Sequence, residues 1–220
     1  MSIVHVEEGY MQYSQIQINT QSSIRIEGSK TVYFDPFQIR TVSRDADLIC
    51  ITHAHYDHFD PDSIANVCRQ DTEFIASAGM KKELEKLAAK EKLHLLSPGE
   101  QFKFADLSIT AQPAYNKLKP FHPKRNGWLG YLLEMDGISY YIAGDTDAVK
   151  ELQGIKCDVA LVPIGGTYTM AAKEAAGLIN KMKPAAVIPT HYGSIVGKPG
   201  DADVFKKLVD PDIHVVIKLN

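Results

Sequence analysis

Cysteine is scarce in this sequence. Only three cysteines occur, Cys50, Cys68 and Cys157, and no two of them have the C-x-x-C spacing. An odd number of unpaired cysteines argues against a disulfide framework, and the missing spacing argues against a zinc site built from thiolates. We therefore predict that all three are small buried side chains in a reducing compartment.

An excess of positive charge is also absent. The 24 lysines and arginines are outnumbered by 27 aspartates and glutamates, which gives a formal net charge of -3. Without a basic field, the chain has no general means of holding a polyanion. We therefore expect a small-molecule substrate and no nucleic-acid partner, and the composition is compatible with a homo-oligomer.

Long hydrophobic runs are missing as well. The first eight residues have neither a basic start nor an apolar core, and no later run approaches the roughly 20 apolar residues of a membrane helix. We therefore expect a cytoplasmic protein without a signal peptide or membrane span. With 220 residues, 45% of them hydrophobic, the chain can form one substantial core, and we predict a single domain over residues 1–220.

One dense cluster of polar side chains follows directly after an apolar run. Residues 48–51 are L-I-C-I, and the next seven, T-H-A-H-Y-D-H, contain His53, His55, Asp57 and His58. Imidazoles and carboxylates cost free energy when buried unpaired, so packing explains this cluster poorly. In an extended segment His53, His55 and Asp57 point to one side, and a turn after Asp57 brings His58 nearby. This arrangement fits two adjacent metal ions.

Two later segments supply side chains of the same kind. Asp145 follows the apolar run 138–142, and His191 follows the apolar residues Val187 and Ile188. Each polar residue thus comes just after a predicted buried strand, as the histidine cluster does. We expect both to join the same site.

The three motifs together resemble those of a known family. H-x-H-x-D-H, a later G-D-T and a late histidine after a strand are similar to the metallo-β-lactamase superfamily. This resemblance implies an α+β fold, a four-layer αββα sandwich that carries a mono- or dinuclear metal hydrolase site. A finer resemblance is to its small single-domain branch, which includes hydrolases like ascorbate-6-phosphate lactonase and N-acyl-phosphatidylethanolamine phospholipase D.

The resemblance also implies a ligand set for two ions. It assigns two histidines to the first ion, three residues to the second and one bridging carboxylate: His53 and His55, then Asp57, His58 and His191, with Asp145 between them. Relatives commonly have a third first-site histidine where this chain has Asn116, so Asn116 or water completes that site. One or two Zn²⁺ ions are expected, with Mn²⁺, Ni²⁺ or Fe²⁺ as alternatives for the same donors.

Three further residues are candidates for contacting substrate: Asn116, His122 and Tyr192. His122 lies in the aperiodic segment 113–127, and we interpret it as a substrate-binding or general-acid residue, with replacement of the missing ligand as the alternative. Four basic residues also lie in this segment: Lys117, Lys119, Lys124 and Arg125. They favour an anionic substrate group, unless the segment is simply a solvated loop.

The chemistry implied is hydrolysis by a metal-held hydroxide, because coordination lowers the pKa of water from about 15.7 to about 7. Asp57, His58 and Asp145 are the expected catalytic residues, and Asp57 orients the water or protonates the leaving group if only one ion binds. The predicted substrate is a small anionic ester, lactone or phosphodiester. The alternative is a weakly active or inactive relative that holds one metal and acts in binding.

Periodicity predicts the surrounding elements. Alternating apolar residues over 14–34 predict three half-buried strands, and Asp35 after the third either orients a ligand imidazole or starts a turn before Pro36. Residues 78–92 have the spacing of an amphipathic surface helix, 147–152 that of a short helix and 214–219 that of a final strand.

Overall fold

The first half of the chain forms one mixed β-sheet. The computed structural model describes residues 13–219. The strands of this sheet are adjacent in chain order: β1 (Ile16–Ile18), β2 (Ile24–Glu27), β3 (Thr31–Phe34), β4 (Leu48–Cys50), β5 (Glu73–Ser77) and β6 (Leu93–Leu96). The pairs from β1 to β3 are antiparallel, and those from β3 to β6 are parallel.

The second half forms another mixed sheet. Its strands run from one edge to the other in reverse chain order: β13 (His214–Val215), β12 (Ala186–Thr190), β11 (Val159–Pro163), β10 (Ile138–Ile142), β9 (Leu129–Met135), β8 (Leu107–Pro113) and β7 (Gln101–Phe104). The pairs from β7 to β10 are antiparallel, and those from β10 to β13 are parallel.

The two sheets share one buried core. Leu48 and Cys50 of β4 point into it, where they belong to the same apolar cluster as Ile109 of β8 and Tyr131 of β9. Ile49, between them in sequence, packs instead in a separate cluster on the outer face. Because both faces of β4 are covered, its sequence is apolar throughout rather than alternating.

Helices cover the two outer faces. They are α1 (Pro61–Val67), α2 (Lys81–Leu84), α3 (Ala172–Met182) and α4 (Asp201–Leu208). Apolar residues of α1 and α2 pack on the outer face of the first sheet, and those of α3 and α4 pack on the second. The predicted αββα sandwich is therefore confirmed. No helix within residues 13–219 is both long and apolar enough to cross a membrane.

Three predicted elements differ from the structure. Residues 78–92 form only a 3₁₀ turn, the short α2 and a second 3₁₀ turn, because burial of Met80 and Leu84 covers the sheet and the chain then returns to β6. The segment 147–152 contributes to the 3₁₀ helix Lys150–Gly154, and the last strand is only two residues long. The cysteines are all free, but Cys68 and Cys157 are only partly buried.

Candidate metal centre

Segments that follow five strands meet at one end of the sandwich. Asp35 follows β3, the histidine cluster follows β4 and His122 lies in the β8–β9 connection. Asp145 follows β10, and His191 follows β12. The carboxyl ends of neighbouring parallel strands lie at one sheet edge, so side chains far apart in sequence come together here.

One group of possible ligand atoms consists of three imidazoles. His53, His55 and His122 present nitrogens that all lie within 4.8 Å of one another. His53 Nε2 is 3.1 Å from His55 Nδ1. Asn116 does not belong to this group. Its third imidazole comes from His122, not from the position of Asn116, where relatives commonly have a histidine.

A second group combines a carboxylate with two imidazoles. Asp57, His58 and His191 also have ligand atoms within 4.8 Å of one another, and Asp57 Oδ2 is 3.3 Å from His191 Nε2. Asp145 lies between the two groups: its Oδ2 is 3.2 Å from His122 Nε2 and 3.4 Å from His191 Nε2. Its Oδ1 is 3.3 Å from His58 Nε2.

These residues fit divalent metal ions. Four buried atoms at the centre have no hydrogen-bond partner among residues 13–219: His58 Nε2, His122 Nε2, His191 Nε2 and Asp145 Oδ1. Orphaned buried polar atoms are costly, and a cation would give each of them a partner. The spacings of 3.2–3.4 Å around Asp145 also match the edge of about 3.3 Å in a tetrahedron of bonds near 2.0–2.1 Å.

Asp35 orients two of the imidazoles from behind. His58 Nδ1 donates to Asp35 Oδ2 at 2.7 Å, and the Thr52 hydroxyl donates to the same oxygen at 2.6 Å. Thr52 Oγ1 in turn lies 3.0 Å from His53 Nδ1 and can accept a hydrogen bond from it. With the Nδ1 atoms bonded in this way, Nε2 of His53 and Nε2 of His58 are left to serve as the metal-binding atoms. The structure thus supports the ligand-orienting interpretation of Asp35 and adds Thr52.

Asn116 plays the same part for His122. This corrects the predicted role of Asn116 as a ligand or substrate contact, and it favours the alternative in which His122 replaces the missing ligand. The Asn116 Oδ1 atom accepts from His122 Nδ1 at 2.9 Å, and its Nδ2 donates to Asp147 Oδ1 at 3.0 Å and to the Tyr168 carbonyl at 2.9 Å. The amide is therefore fully committed and does not face the first ion or a substrate. His122, 1% exposed, directs Nε2 towards Asp145 as a ligand would.

Tyr192 does not contact the site either. It is buried in the core beside α3 and α4, and its hydroxyl donates to the Leu219 carbonyl at 2.8 Å. Its predicted role in substrate binding is wrong, because the side chain is 2% exposed and packs inwards, not towards the centre.

Trp128 is a neighbour of the centre that the sequence did not indicate. Its ring centroid is 4.9 Å from that of His53, 5.0 Å from that of His55 and 5.5 Å from that of His122. It is the only tryptophan of the chain. Its fluorescence should therefore report on binding at the three-histidine group.

Backbone geometry positions two of the candidate ligands, Asp145 and His191. Gly144 has φ +61°, and a Cβ there would lie 2.8 Å from the Leu129 carbonyl oxygen, so only glycine lets the chain turn before Asp145. His191 has φ +55°, an unusual value for histidine, and its N–H donates to the Gln21 carbonyl at 3.0 Å. The β1–β2 connection therefore holds His191 in this conformation.

The charges of the centre are strongly coupled. Burial would raise the pKa of Asp145, but the His191 and His58 imidazoles beside it hold that pKa well below its usual range. Burial alone would lower the pKa of His58, but Asp145, Asp35 and Asp57 raise it to about 9. Burial, together with neighbouring imidazoles, lowers the pKa of both His53 and His55. His53 and His55 are therefore neutral at pH 7 and available as ligands.

A cavity of about 230 Å³ opens onto the centre. Its walls include four of the candidate ligands, His55, Asp57, His122 and Asp145. A larger cavity of about 580 Å³ lies on the outer face of the first sheet, but its Arg25 is already paired with Glu27 and Asp45. The smaller cavity is therefore the candidate substrate pocket.

The predicted basic segment does not face this pocket. Lys117 Nζ donates to the Ala148 carbonyl, Lys119 Nζ pairs with Asp147 Oδ1 at 2.7 Å, and Lys124 Nζ pairs with Glu151 Oε1 at 2.8 Å. None of these lysines, nor Arg125, lines the cavity. Their amino groups stabilise the segment that carries His122.

Replacing Asn116 by alanine is expected to weaken Zn²⁺ binding by about 10- to 100-fold. The change removes the acceptor that holds the proton of His122 on Nδ1 and fixes its ring. The measurement is a titration of metal-free protein with Zn²⁺, followed by Trp128 fluorescence.

Asn180→Ala is the matched control, because that amide also makes two hydrogen bonds with backbone, to Leu208 and Asp210, but far from the site. Equal affinities for Zn²⁺ in wild type and Asn116→Ala would contradict the positioning role.

Comparison with known proteins identifies the family of the chain. Residues 15–191 match the family described as the beta-lactamase superfamily domain. A UPF0173 metal-dependent hydrolase of Pyrococcus furiosus is 34% identical over 207 residues, covering 87% of this chain and 90% of the relative. Another from Staphylococcus haemolyticus is 31% identical over 214 residues, covering 89% and 93%.

Solved structures give the same result. A Parabacteroides distasonis protein proposed to be a metal-dependent hydrolase is 30% identical, with a TM-score of 0.78 and coverage of 93% of both chains. A Thermotoga maritima protein of the metallo-β-lactamase superfamily is 21% identical, with a TM-score of 0.61 and coverage of 92% and 96%, and it supports the fold alone. The chain belongs to the metallo-β-lactamase superfamily and, within it, to the UPF0173 metal-dependent hydrolases.

Proposed function

We propose that this hydrolase binds two Zn²⁺ ions and cleaves a small ester, lactone or phosphodiester. The observation that carries the proposal is the convergence of orphaned atoms around Asp145: one of its own oxygens and the Nε2 atoms of His58, His122 and His191. The first ion would be held by His53, His55 and His122, and the second by Asp57, His58 and His191. Asp145 would contact both.

The bound ions would lower the pKa of a coordinated water from about 15.7 to about 7 and polarise the scissile group. The chain's own residues orient the ligands and accept protons. Burial would raise the pKa of Asp57, but its contact with His191 and the nearby His58 lower it instead. Asp57 is therefore ionised at pH 7 and lines the cavity as a hydrogen-bond acceptor for the attacking water, not as a general acid.

His58 has a more limited part. It is 0% exposed and does not line the cavity, so it reaches a substrate only through a metal. We therefore assign His58 as a ligand, with Asp57 and Asp145 as the two acidic groups at the reaction centre.

We do not favour the alternative of an inactive relative with one metal. That alternative rested on Asn116 leaving the first ion short of a ligand, and the nitrogens of His122 now complete the three-histidine group. A likeness to the lactonase-like and phospholipase-D-like branch remains part of our proposal, as do a cytoplasmic location, a small-molecule substrate and the lack of a nucleic-acid partner. An anionic group outside the scissile bond is no longer part of it, because the basic residues are directed elsewhere.

Metal removal tests the proposal. We expect protein stripped with dipicolinate to lose hydrolysis of 4-nitrophenyl acetate, δ-valerolactone or bis(4-nitrophenyl) phosphate, and to regain it when two Zn²⁺ ions bind per chain. The readouts are initial rates and bound metal measured by mass spectrometry, with Mg²⁺ as the control ion because it is a poor match for imidazole. Turnover that survives metal removal, or no turnover on any of the three substrates, would contradict the proposal.

A further inference from the structure

Four large side chains form a rim at the mouth of the catalytic cavity: Tyr56, Phe121, Tyr168 and Ile195. They come from four different connections between strands, yet they line the same 230 Å³ space as the candidate ligands. Tyr56 is 66% exposed, Phe121 42% and Ile195 40%. Single exposed apolar side chains are common on protein surfaces. A group of large ones at the mouth of a cavity is not, and it indicates a binding surface.

The rim is held in place by its own contacts. The rings of Phe121 and Tyr168 meet edge to face, with centroids 4.7 Å apart and planes at 90°. Tyr56 makes a similar contact with Phe37, at 6.1 Å and 73°. Neighbouring Asn116 ties the Tyr168 carbonyl to the segment that carries Phe121 and His122. The two sides of the mouth are therefore preformed.

The cavity offers no cationic side chain to an anionic substituent. Among the described residues, its lining includes no lysine or arginine, and its two carboxylates, Asp57 and Asp145, are candidate metal ligands. Lys119, in the connection that carries Phe121, is bound to Asp147 and to the Thr169 carbonyl at 2.5 Å. A negative group at the rim, away from the metals, would face aromatic and aliphatic side chains without a partner, which is costly.

We propose that the rim binds an apolar or aromatic substituent of a small uncharged ester or lactone whose scissile carbonyl lies at the metals. The inference rests on the proposed function and narrows its substrate class by excluding phosphodiesters and other anions. The volume of about 230 Å³ is below the range of about 300–1,000 Å³ typical of drug-sized ligands, so the substituent is short. Specificity then comes from burying a few methylene groups or one ring against the rim.

The test uses ligands that bind metal without being hydrolysed. Zn²⁺-loaded protein is titrated calorimetrically with straight-chain hydroxamates from acetohydroxamate to hexanohydroxamate. We expect the affinity to rise about two- to fourfold with each methylene until the cavity is full. Succinic monohydroxamate, which ends in a carboxylate, should bind more weakly than pentanohydroxamate. This neutral ligand has the same number of non-hydrogen atoms along its chain, counting one carboxylate oxygen.

Variants locate the effect at the rim. Phe121→Ala and Ile195→Ala should flatten the dependence on chain length while leaving acetohydroxamate affinity unchanged. Leu118→Ala is the matched control, because Leu118 is 97% exposed beside the rim but does not line the cavity. It should retain the full dependence.

The outcomes separate this inference from the proposed function. An affinity that is independent of chain length, or higher for the carboxylate-ended ligand, overturns the rim while leaving hydrolysis untouched. A steep series in protein that hydrolyses nothing supports the rim and overturns only the proposed activity. If acetohydroxamate itself does not bind, the metal centre is wrong and the rim proposal falls with it.

Discussion

Replacing Asp145 by asparagine is expected to lower the rate of hydrolysis by on the order of 1000-fold and to reduce bound metal. Asp145 lies 3.2 Å from His122 and 3.4 Å from His191 through one oxygen, and 3.3 Å from His58 through the other. Asparagine keeps the shape but loses the negative charge that would balance the two proposed cations. Both ions should therefore bind more weakly, and the measurements are turnover on the responsive substrate and metal per chain.

Asp106→Asn provides the matched control for this change. Asp106 is exposed in the turn between β7 and β8, away from the histidines, so the same loss of charge should affect neither quantity. Wild-type metal content with wild-type turnover in Asp145→Asn would mean that the bridging position has been assigned to the wrong carboxylate.

The sequence predicted the strands better than the helices, for a physical reason. Alternation at Ile16, Ile18, Ile24 and Ile26 follows from one sheet face being buried, and the structure buries Ile16, Ile24 and Ile26 in the core between the sheets. The periodicity of residues 78–92 does not require a long helix, because a single turn at Met80 and Leu84 suffices to cover β5. Helical spacing predicts which side chains are buried together, but it does not predict how long the helix is.

The sequence also indicated most of the candidate metal centre, but it offered the third histidine, His122, only as an alternative. The H-x-H-x-D-H cluster is local, so its geometry follows from one strand end. His122 instead comes from a 15-residue connection without periodicity, where nothing in the spacing decides which polar group points inwards. The pattern of relatives favoured Asn116, whereas the backbone pair Asn116 N–H to His122 carbonyl, at 2.8 Å, places the two side by side.

Two supporting residues had no signal of their own. Thr52 reads as an ordinary strand-end residue, yet its N–H and hydroxyl both donate to Asp35, at 2.7 and 2.6 Å. Trp128 lies directly before β9, yet its ring packs on His53 and His55. The roles of Thr52 and Trp128 depend on contacts between separate segments, which periodicity does not show.

Replacing His58 by alanine is expected to abolish hydrolysis and also to destabilise the metal-free fold by about 3–5 kcal/mol. The loss of stability follows from one buried contact, because His58 Nδ1 donates to Asp35 Oδ2 at 2.7 Å, with His58 0% and Asp35 1% exposed. Alanine leaves a buried carboxylate without its cationic partner. Unfolding by urea, with and without Zn²⁺, measures the loss.

The stabilisation contributed by the His58–Asp35 pair should depend on pH. The pKa of His58 rises from 6.5 to about 9 in the folded protein, because Asp145, Asp35 and Asp57 outweigh the effect of burial. Because the pKa of His58 is higher in the folded than in the unfolded protein, its protonated imidazole stabilises the fold fully below about pH 6.5. This stabilisation is lost as the pH rises towards about 9. Metal-free wild type should therefore lose its advantage over His58→Ala across this interval.

A double variant decides whether the unpaired carboxylate is the cause. In Asp35→Asn/His58→Ala the buried charge is gone, so the double variant should be more stable than His58→Ala alone, because an amide needs no cationic partner and can still accept from Thr52. Hydrolysis should stay absent, since the ligand is missing in both. If the double variant is no more stable than His58→Ala, the loss comes from the cavity that alanine leaves. If His58→Ala retains turnover, the second ion does not need this histidine.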